Sequence, residues 1–446
     1  MKIHNVFDAI VIGSGPSGIF ASIELIEAGL NVALVDKGGN YYTRTSTENK
    51  GLIGFGGAAM RYDANLDYSN GIPERSNLGE KVFADKKTAE KRIKEVYKRL
   101  KFFGLKKKEE TDNNGVRNNS LGIIDKGILP VGERNLTDIL KNVYDHLIGK
   151  NISFFEFTEV TEIVKGEGFK VRALRSEKEE LIIKGKNVVI ATGKLSTTRS
   201  RGIFDLLGVE YEYCDSIDIG VRIETKKRST DQITMKCADP KIVSENKGTL
   251  SRTFCWCPGG KVIDYKFENI DMIDGQHCHD NPTDQTNFGI VTTIKFPKGT
   301  DGTKFGINYV KMFNEFTGHK AGMQMMKGLK DGNATLPENV EKNEITPTIS
   351  KYSLVDLNIL LTSSVKEGIL KLVNKINEIY PGAIMDNSLV YGPVIERIFP
   401  KIGLDSSMES SIKGLYVVGD ISGKATGVVT GAAMGIEAAS RIISTI

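Results

Sequence analysis

The sequence predicts an α/β protein, a discontinuous Rossmann-like domain interrupted by a β-rich α+β domain. Three observations carry this reading. A short apolar run, Phe7 to Ile12, leads into Gly13-Ser14-Gly15-Pro16-Ser17-Gly18 and then into a helical pattern. A second strand-then-glycine segment, Gly414 to Asp420, lies near the opposite end of the chain. Between them, from about Tyr211 to Tyr309, the pattern changes to β-rich runs separated by turns.

The first forty residues read as one βαβ unit. Phe7 to Ile12 is the first strand, and Ile19, Ile23, Ile26 and Leu30 lie on one face of the helix that follows. Asn31 to Asp36 is the second strand. Residues 51–70 are glycine-rich and polar, which predicts an extended loop. Helices are expected over Lys86 to Phe103 and Asn135 to Leu147, with an exposed excursion from Lys106 to Asn119 between them. Strands follow over 152–190, ending in Ala191-Thr192-Gly193. Further strands are expected at Ile217 to Glu224 and Phe288 to Ile294. Pro258-Gly259-Gly260 reads as a hairpin turn between Arg252–Cys257 and Lys261–Asp264. Helices return over 311–380, and a strand at Leu415 to Val418 precedes a long C-terminal helix.

Composition narrows the class. Glycine supplies 47 of 446 residues, against about 31 at the average usage of about 7%. Collagen-like and linker-like sequences are excluded by the lack of a three-residue period and by only 12 Pro. Disorder is excluded by 40% hydrophobic residues and a net charge of +4. Residues 1–57 hold 10 of the glycines and residues 414–446 hold 6, so the surplus gathers at the two nucleotide-like segments. Five Cys without C-x-x-C spacing, and no leader pattern, predict a cytoplasmic protein. No apolar stretch reaches membrane-spanning length.

Gly13, Gly15 and Gly18 have dinucleotide-binding spacing: one for the tight turn, one for pyrophosphate approach, one for helix–strand packing. The helix start offers free N–H groups to phosphate. Asp36 ends the second strand 18 residues beyond Gly18, where a carboxylate accepts ribose hydroxyls. A nicotinamide dinucleotide alone would need only this segment. Gly414 to Asp420 resembles the flavin-binding end of glutathione-reductase-superfamily flavoproteins. That resemblance implies FAD, with Asp420 on the ribityl chain and the following helix aimed at the pyrimidine edge. Gly427, Gly431 and Gly435 leave one face of that helix bare, which predicts close packing against cofactor or sheet.

The chain as a whole resembles bacterial FAD-dependent dehydrogenases within the glutathione-reductase, two-dinucleotide-binding-domain, flavoprotein superfamily. The resemblance rests on Val11 to Gly18, Gly54 to Ala58, Ile219 to Glu224, Thr253 to Gly260 and Gly414 to Ala439. Two departures are Tyr62-Asp63-Ala64-Asn65-Leu66 after the Gly54–Ala58 loop and Val131 where the family carries His. The implied FAD-binding domain spans 1–75, 136–210 and 386–446. A helical insert covers 76–135, and a β-rich substrate domain with a helical cap covers 211–385. The implied cofactor residues are Gly13, Gly15, Pro16, Ser17, Gly18, Asp36, Lys37, Gly56, Gly57, Ala58, Val160, Ala191, Thr192, Gly193, Gly419, Asp420, Gly427, Val428 and Val429.

The expected function is an FAD-dependent oxidoreductase transferring a hydride to or from a small-molecule substrate. Disulfide reductases of the superfamily carry a redox Cys pair near the first βαβ unit, whereas the first Cys here is Cys214. Cys255 and Cys257 are the candidate catalytic side chains; two small buried residues on one sheet face is the competing reading. Cys255, Cys257, His277, Cys278 and His279 match no standard zinc spacing, so no metal is expected. Without a second G-x-G-x-x-G, electrons come from transiently docked NAD(P)H, a partner protein or the substrate. Two rivals stay open. One is a flavoenzyme modifying uridine in RNA, permitted by Lys106-Lys107-Lys108 and Lys226-Lys227-Arg228. The other is a non-catalytic flavin redox sensor or scaffold.

Overall fold

The computed structural model describes residues 2–44, 52–58, 65–67, 82–106, 123–124, 128–237, 239–424 and 426–446. Half of the expected loop over 51–70 and nearly all of the excursion from Lys106 to Asn119 lie outside the described residues, as do Tyr62-Asp63-Ala64 and Lys107-Lys108. Two compact units emerge. One takes Met1–Lys108, Leu129–Glu212 and Phe399–Ile446; the other takes Glu109–Ile128 and Tyr213–Ile398.

The first unit opens with β1 (Lys2–Ile12), α1 (Pro16–Glu27) and β2 (Val32–Val35). Proline at the first turn of α1 suits a position whose N–H has no intrahelical partner. Helix α2 (Lys86–Phe102) starts where the Asp85 carboxylate accepts the Thr88 N–H at 2.7 Å, and it buries Ala89, Ile93, Val96 and Leu100 at helical spacing. Helix α3 (Glu133–Gly149) precedes β3 (Ser153–Phe155), β4 (Thr158–Lys165), β5 (Phe169–Arg175), β6 (Glu179–Ile190) and α4 (Thr197–Leu207).

The second unit contains β7 (Ser216–Lys226), β8 (Lys241–Asn246), β9 (Thr249–Pro258), β10 (Lys261–Phe267), β11 (Ile270–Gln276) and β12 (Gln285–Lys295). Then come α5 (Gly302–Thr317), β13 (Ala321–Met325), β14 (Tyr352–Leu354), α6 (Ser363–Ile379) and β15 (Leu389–Glu396). Its main sheet has the order β14-β13-β15-β7-β12-β9-β8, with the short strand Ile123–Ile124 beyond β8. Strand β15, which the sequence reading grouped with the C-terminal FAD segment, pairs with β7 and β13. The expected hairpin across Pro258-Gly259-Gly260 is corrected. The turn forms, with the Gly260 N–H on the Cys257 carbonyl at 3.0 Å. Strand β10, however, pairs over its whole length with β11, while β9 pairs with β8 and β12. A turn signal sets local direction, and longer-range pairing decides the partner.

The chain re-enters the first unit with β16 (Leu415–Val417) and α7 (Val428–Thr445). Strand β6 pairs in parallel with β1 along one edge. Its other edge is shared, antiparallel to β5 near its start and parallel to β16 at its end. The parallel order is therefore β3-β2-β1-β6-β16. From Ala9 to Ile12, successive residues of β1 alternate between two cores. Ala9 and Val11 join the core with α1, α2, α3 and α7, whereas Phe7, Ile10 and Ile12 join that with β4, β5 and α4. Burial on both faces explains the continuous apolar run.

Candidate functional site

The C-terminal ends of β1 and β6, with the loops that follow them, open onto a cavity of about 250 Å³ within the first unit. Two helices begin at it, α1 at Gly15-Pro16 and α7 at Gly427-Val428, and neither N-terminus has a side-chain cap. Both therefore present backbone N–H groups and the positive end of the helix dipole to one space. Gly13 adopts φ +104°, where an added Cβ would run into the Ala191 backbone. Gly15 differs. Its φ is −74°, and an added Cβ would meet only Gly57 Cα at 3.9 Å.

Asp36 directly follows β2 and lines the cavity. Its Oδ2 accepts the Ser14 N–H and Oγ–H, each at 2.7 Å, and its Oδ1 accepts the Gly38 N–H at 2.7 Å. The carboxylate thus holds the glycine turn in shape from the adjacent strand.

Of the expected cofactor residues, Gly13, Gly15, Pro16, Ser17, Asp36, Lys37, Gly57, Ala58, Val160, Ala191, Thr192, Gly193, Gly419, Asp420, Gly427 and Val428 line this cavity. Three expected residues do not. A Cβ on Gly18 would overlap the Gly13 carbonyl, so this glycine serves turn packing. A Cβ on Gly56 would press on Leu140 of α3, and Val429 is buried in the core. The bare face of α7 is shared: Gly427 lines the cavity, whereas Gly431 and Gly435 pack on α1. Gly431 faces Ser17 Oγ, and Gly435 faces the Ser17 carbonyl and the Ala21 N–H.

Sequence reasoning missed several residues. Arg44 binds the Gly54 carbonyl at 3.1 Å, the Gly57 carbonyl at 3.0 Å and the Phe55 carbonyl, pinning the glycine-rich loop. Arg199, at the start of α4, lines the cavity and pairs with Glu159 at 3.2 Å. Ser200 also lines the cavity, its hydroxyl hydrogen-bonded at 2.8 Å to that of the expected Thr192. The Lys194–Arg201 stretch was visible as a basic, hydroxyl-rich run after a strand, the one available signal for this wall.

The second unit gathers other expected residues. Cys255 and Cys257 Sγ atoms lie 3.7 Å apart, and Cys257 Sγ lies 3.6 Å from His277 Nε2. Cys278 and His279 are outside this trio, whose ligand atoms all lie within 4.8 Å of one another. Arg222 is fully buried, donating to Asp274 Oδ1 at 2.7 Å and Asn287 Oδ1 at 2.6 Å. Arg252 donates to buried Asp218 at 2.6 Å. Lys226, Lys227 and Arg228 pair with Asp284, Asp231 and Glu344, which offsets the charge of that basic run.

The first unit's fold and cavity define a flavoprotein of the FAD-dependent oxidoreductase class. The chain belongs to the FAD binding domain family, whose model matches residues 8–232, just over half of it. A second model, FAD-dependent protein C-terminal domain-like, matches residues 216–395. An uncharacterized protein of Clostridium beijerinckii is 24% identical over 467 residues, covering 97% of this chain and 80% of that one. Among solved structures, the Mycobacterium smegmatis Sdh1 complex in the apo form aligns at 14% identity and TM-score 0.45, covering 100% of this chain and 69% of that chain. Escherichia coli quinol fumarate reductase FrdA aligns at 12% identity and TM-score 0.47, covering 100% and 71%. The cofactor is FAD. Its fit is visible in the side-chain-free space at Gly15 and in two uncapped helix starts facing one cavity. Among the described residues, no helix is long and apolar enough to cross a membrane.

Proposed function

We propose that this chain is a flavin-dependent dehydrogenase acting on a small molecule, with electrons supplied by NAD(P)H or a partner protein. The observation that carries the reading is the meeting of two uncapped helix N-termini, at Gly15 and Gly427, on one cavity. The start of α1 takes the pyrophosphate, and Asp36 presents a carboxylate to ribose while holding Ser14. Asp420, which lines the cavity, would hold the ribityl chain, and the start of α7 would supply a positive field for the flavin's pyrimidine edge. When bound, FAD supplies the hydride chemistry itself. The chain's own part is to bind and orient the cofactor, with Cys255 and Cys257 as the proposed catalytic side chains.

The neutralised Lys226-Lys227-Arg228 run weighs against an RNA substrate, which needs free phosphate-binding cations. The purified protein is expected to be yellow and to release FAD, not FMN, on denaturation. Anaerobic mixing with NADH, NADPH and dithionite, then reoxidation by candidate acceptors, identifies the donor. A colourless protein that cannot be reconstituted with FAD overturns the reading. A flavin that turns over no acceptor and instead changes partner binding on reduction supports the sensor in its place.

A further inference from the structure

We propose that Cys255 and Cys257 are a redox-active dithiol that exchanges electrons with an external disulfide, Cys255 attacking and Cys257 resolving. Residues two apart in a regular strand share a face but rise by about 3.4 Å each, which keeps their thiols separate. Strand β9 is not regular here. Its pairing with β12 slips between Phe254 and Cys257, and Cys255 adopts φ +49°. This left-handed conformation is rare outside glycine and points to a site where the surrounding structure imposes strain. The next residue is held on both sides: the Trp256 N–H donates to Asp239 Oδ1 at 3.0 Å, and its ring stacks on Phe288. The outcome is the 3.7 Å approach of the two sulfurs.

Their surroundings favour thiolate. The Cys257 thiol hydrogen-bonds to Cys255, and the Arg222 guanidinium adds positive charge; together these hold Cys255 well below the ordinary thiol range despite burial. Arg222 also anchors the bulge directly, donating to the Cys255 carbonyl at 3.1 Å. The two sulfurs are unequal. Cys255 is partly exposed and Cys257 is buried against His277. The less buried thiolate is therefore the attacking group, and the fully buried thiol, with an imidazole to take its proton, is the resolving group.

The exchange balances without another reactant. Cys255 thiolate attacks one sulfur of a disulfide, forming a mixed disulfide and releasing the first thiol. Cys257, its proton passed to His277, then attacks Cys255 Sγ and expels the second thiol. Two electrons and one proton leave the thiolate–thiol pair, and the external disulfide departs as two thiolates, one protonated by way of His277 and the other by water. A zinc ion on Cys255, Cys257 and His277 is the competing use of the same atoms. The buried Arg222 charge beside the sulfurs opposes a dication and favours the dithiol. The exchange needs no flavin step, so flavin retention and reduction test the dehydrogenase reading separately, although both readings draw on these two thiols.

The test uses the full-length FAD-bound protein, reduced, freed of reductant and exposed to oxidised dithiothreitol. N-ethylmaleimide labelling with peptide mass mapping should show loss of both thiols in the 255–257 peptide, restored by reduction. With 5,5′-dithiobis(2-nitrobenzoate), the native pair should release two equivalents of chromophore. Cys257→Ser should release one from this site and retain a mixed disulfide on Cys255. Metal content of the reduced protein is measured alongside. Both thiols staying alkylatable after oxidation overturns the proposal, as does stoichiometric zinc that blocks them until chelated.

Discussion

Asp36 Oδ2 accepts hydrogen bonds from both the backbone N–H and the hydroxyl of Ser14, each at 2.7 Å, across 22 residues of chain. The carboxylate at the end of β2 therefore shapes the glycine turn before it meets any ribose. Asp36→Ala is expected to weaken FAD binding and also to lower the stability of the cofactor-free protein. An unsatisfied buried donor costs about 1–3 kcal/mol. Flavin titration and thermal melting of the apoprotein check the two effects, and a variant that lost only FAD affinity would limit Asp36 to ligand contact.

Gly15→Val should separate binding from folding. At φ −74° any side chain is accommodated, and the added carbons point into the cavity. The variant should melt like the wild-type apoprotein yet retain no flavin after gel filtration. Undiminished flavin retention would remove the α1 turn from the phosphate site.

Gly435→Val should do the reverse. Its Cβ overlaps the Ser17 carbonyl at the α1–α7 contact, and Gly435 itself does not line the cavity. Forcing carbon into a packed contact costs about 1–3 kcal/mol. The chemical-denaturation midpoint should fall accordingly, and flavin release should accompany unfolding of the first unit.

Glu224 predicts a pH effect. Burial pushes its carboxyl above the ordinary range, while hydrogen bonds from Thr348 and from the Tyr391 hydroxyl at 2.6 Å oppose the shift. A carboxyl whose folded pKa is raised binds its proton more tightly in the folded state. Its ionisation therefore costs stability as pH rises through the folded value, and that cost disappears below the unfolded value of about 4.3. Glu224→Gln should accordingly gain on wild type as pH rises and lose that gain on acidification. Melting curves of both proteins across this window check the sign, and a pH-independent difference would contradict it.

How far the site was legible depended on sequence distance. Gly13, Gly15, Gly18 and Asp36 were readable because one βαβ unit encodes turn, helix start and strand end within about thirty residues. The recurrence of Gly427, Gly431 and Gly435 was equally visible, but what they pack against was not. The neighbour of Gly431 and Gly435, α1, is some four hundred residues away in the chain, and a bare helix face does not name its partner. Arg44 gave no signal, since three carbonyls on a nearby loop attract it only once that loop has folded back. The hairpin at Pro258 failed for the same reason, because a turn motif says nothing about which strand offers the better register.

By itself the sequence determined the α/β class, the strand–glycine–helix turn and the flavin-like end segment, because each depends on residues near one another in the chain. Only the tertiary structure decided that two helix starts share one cavity. Only it decided that Asp36 holds Ser14, and that a bulge brings Cys255 and Cys257 to 3.7 Å beside Arg222 and His277. Those relationships join strands and helices far apart in sequence, and packing, unlike spacing, becomes defined when the chain has closed on itself.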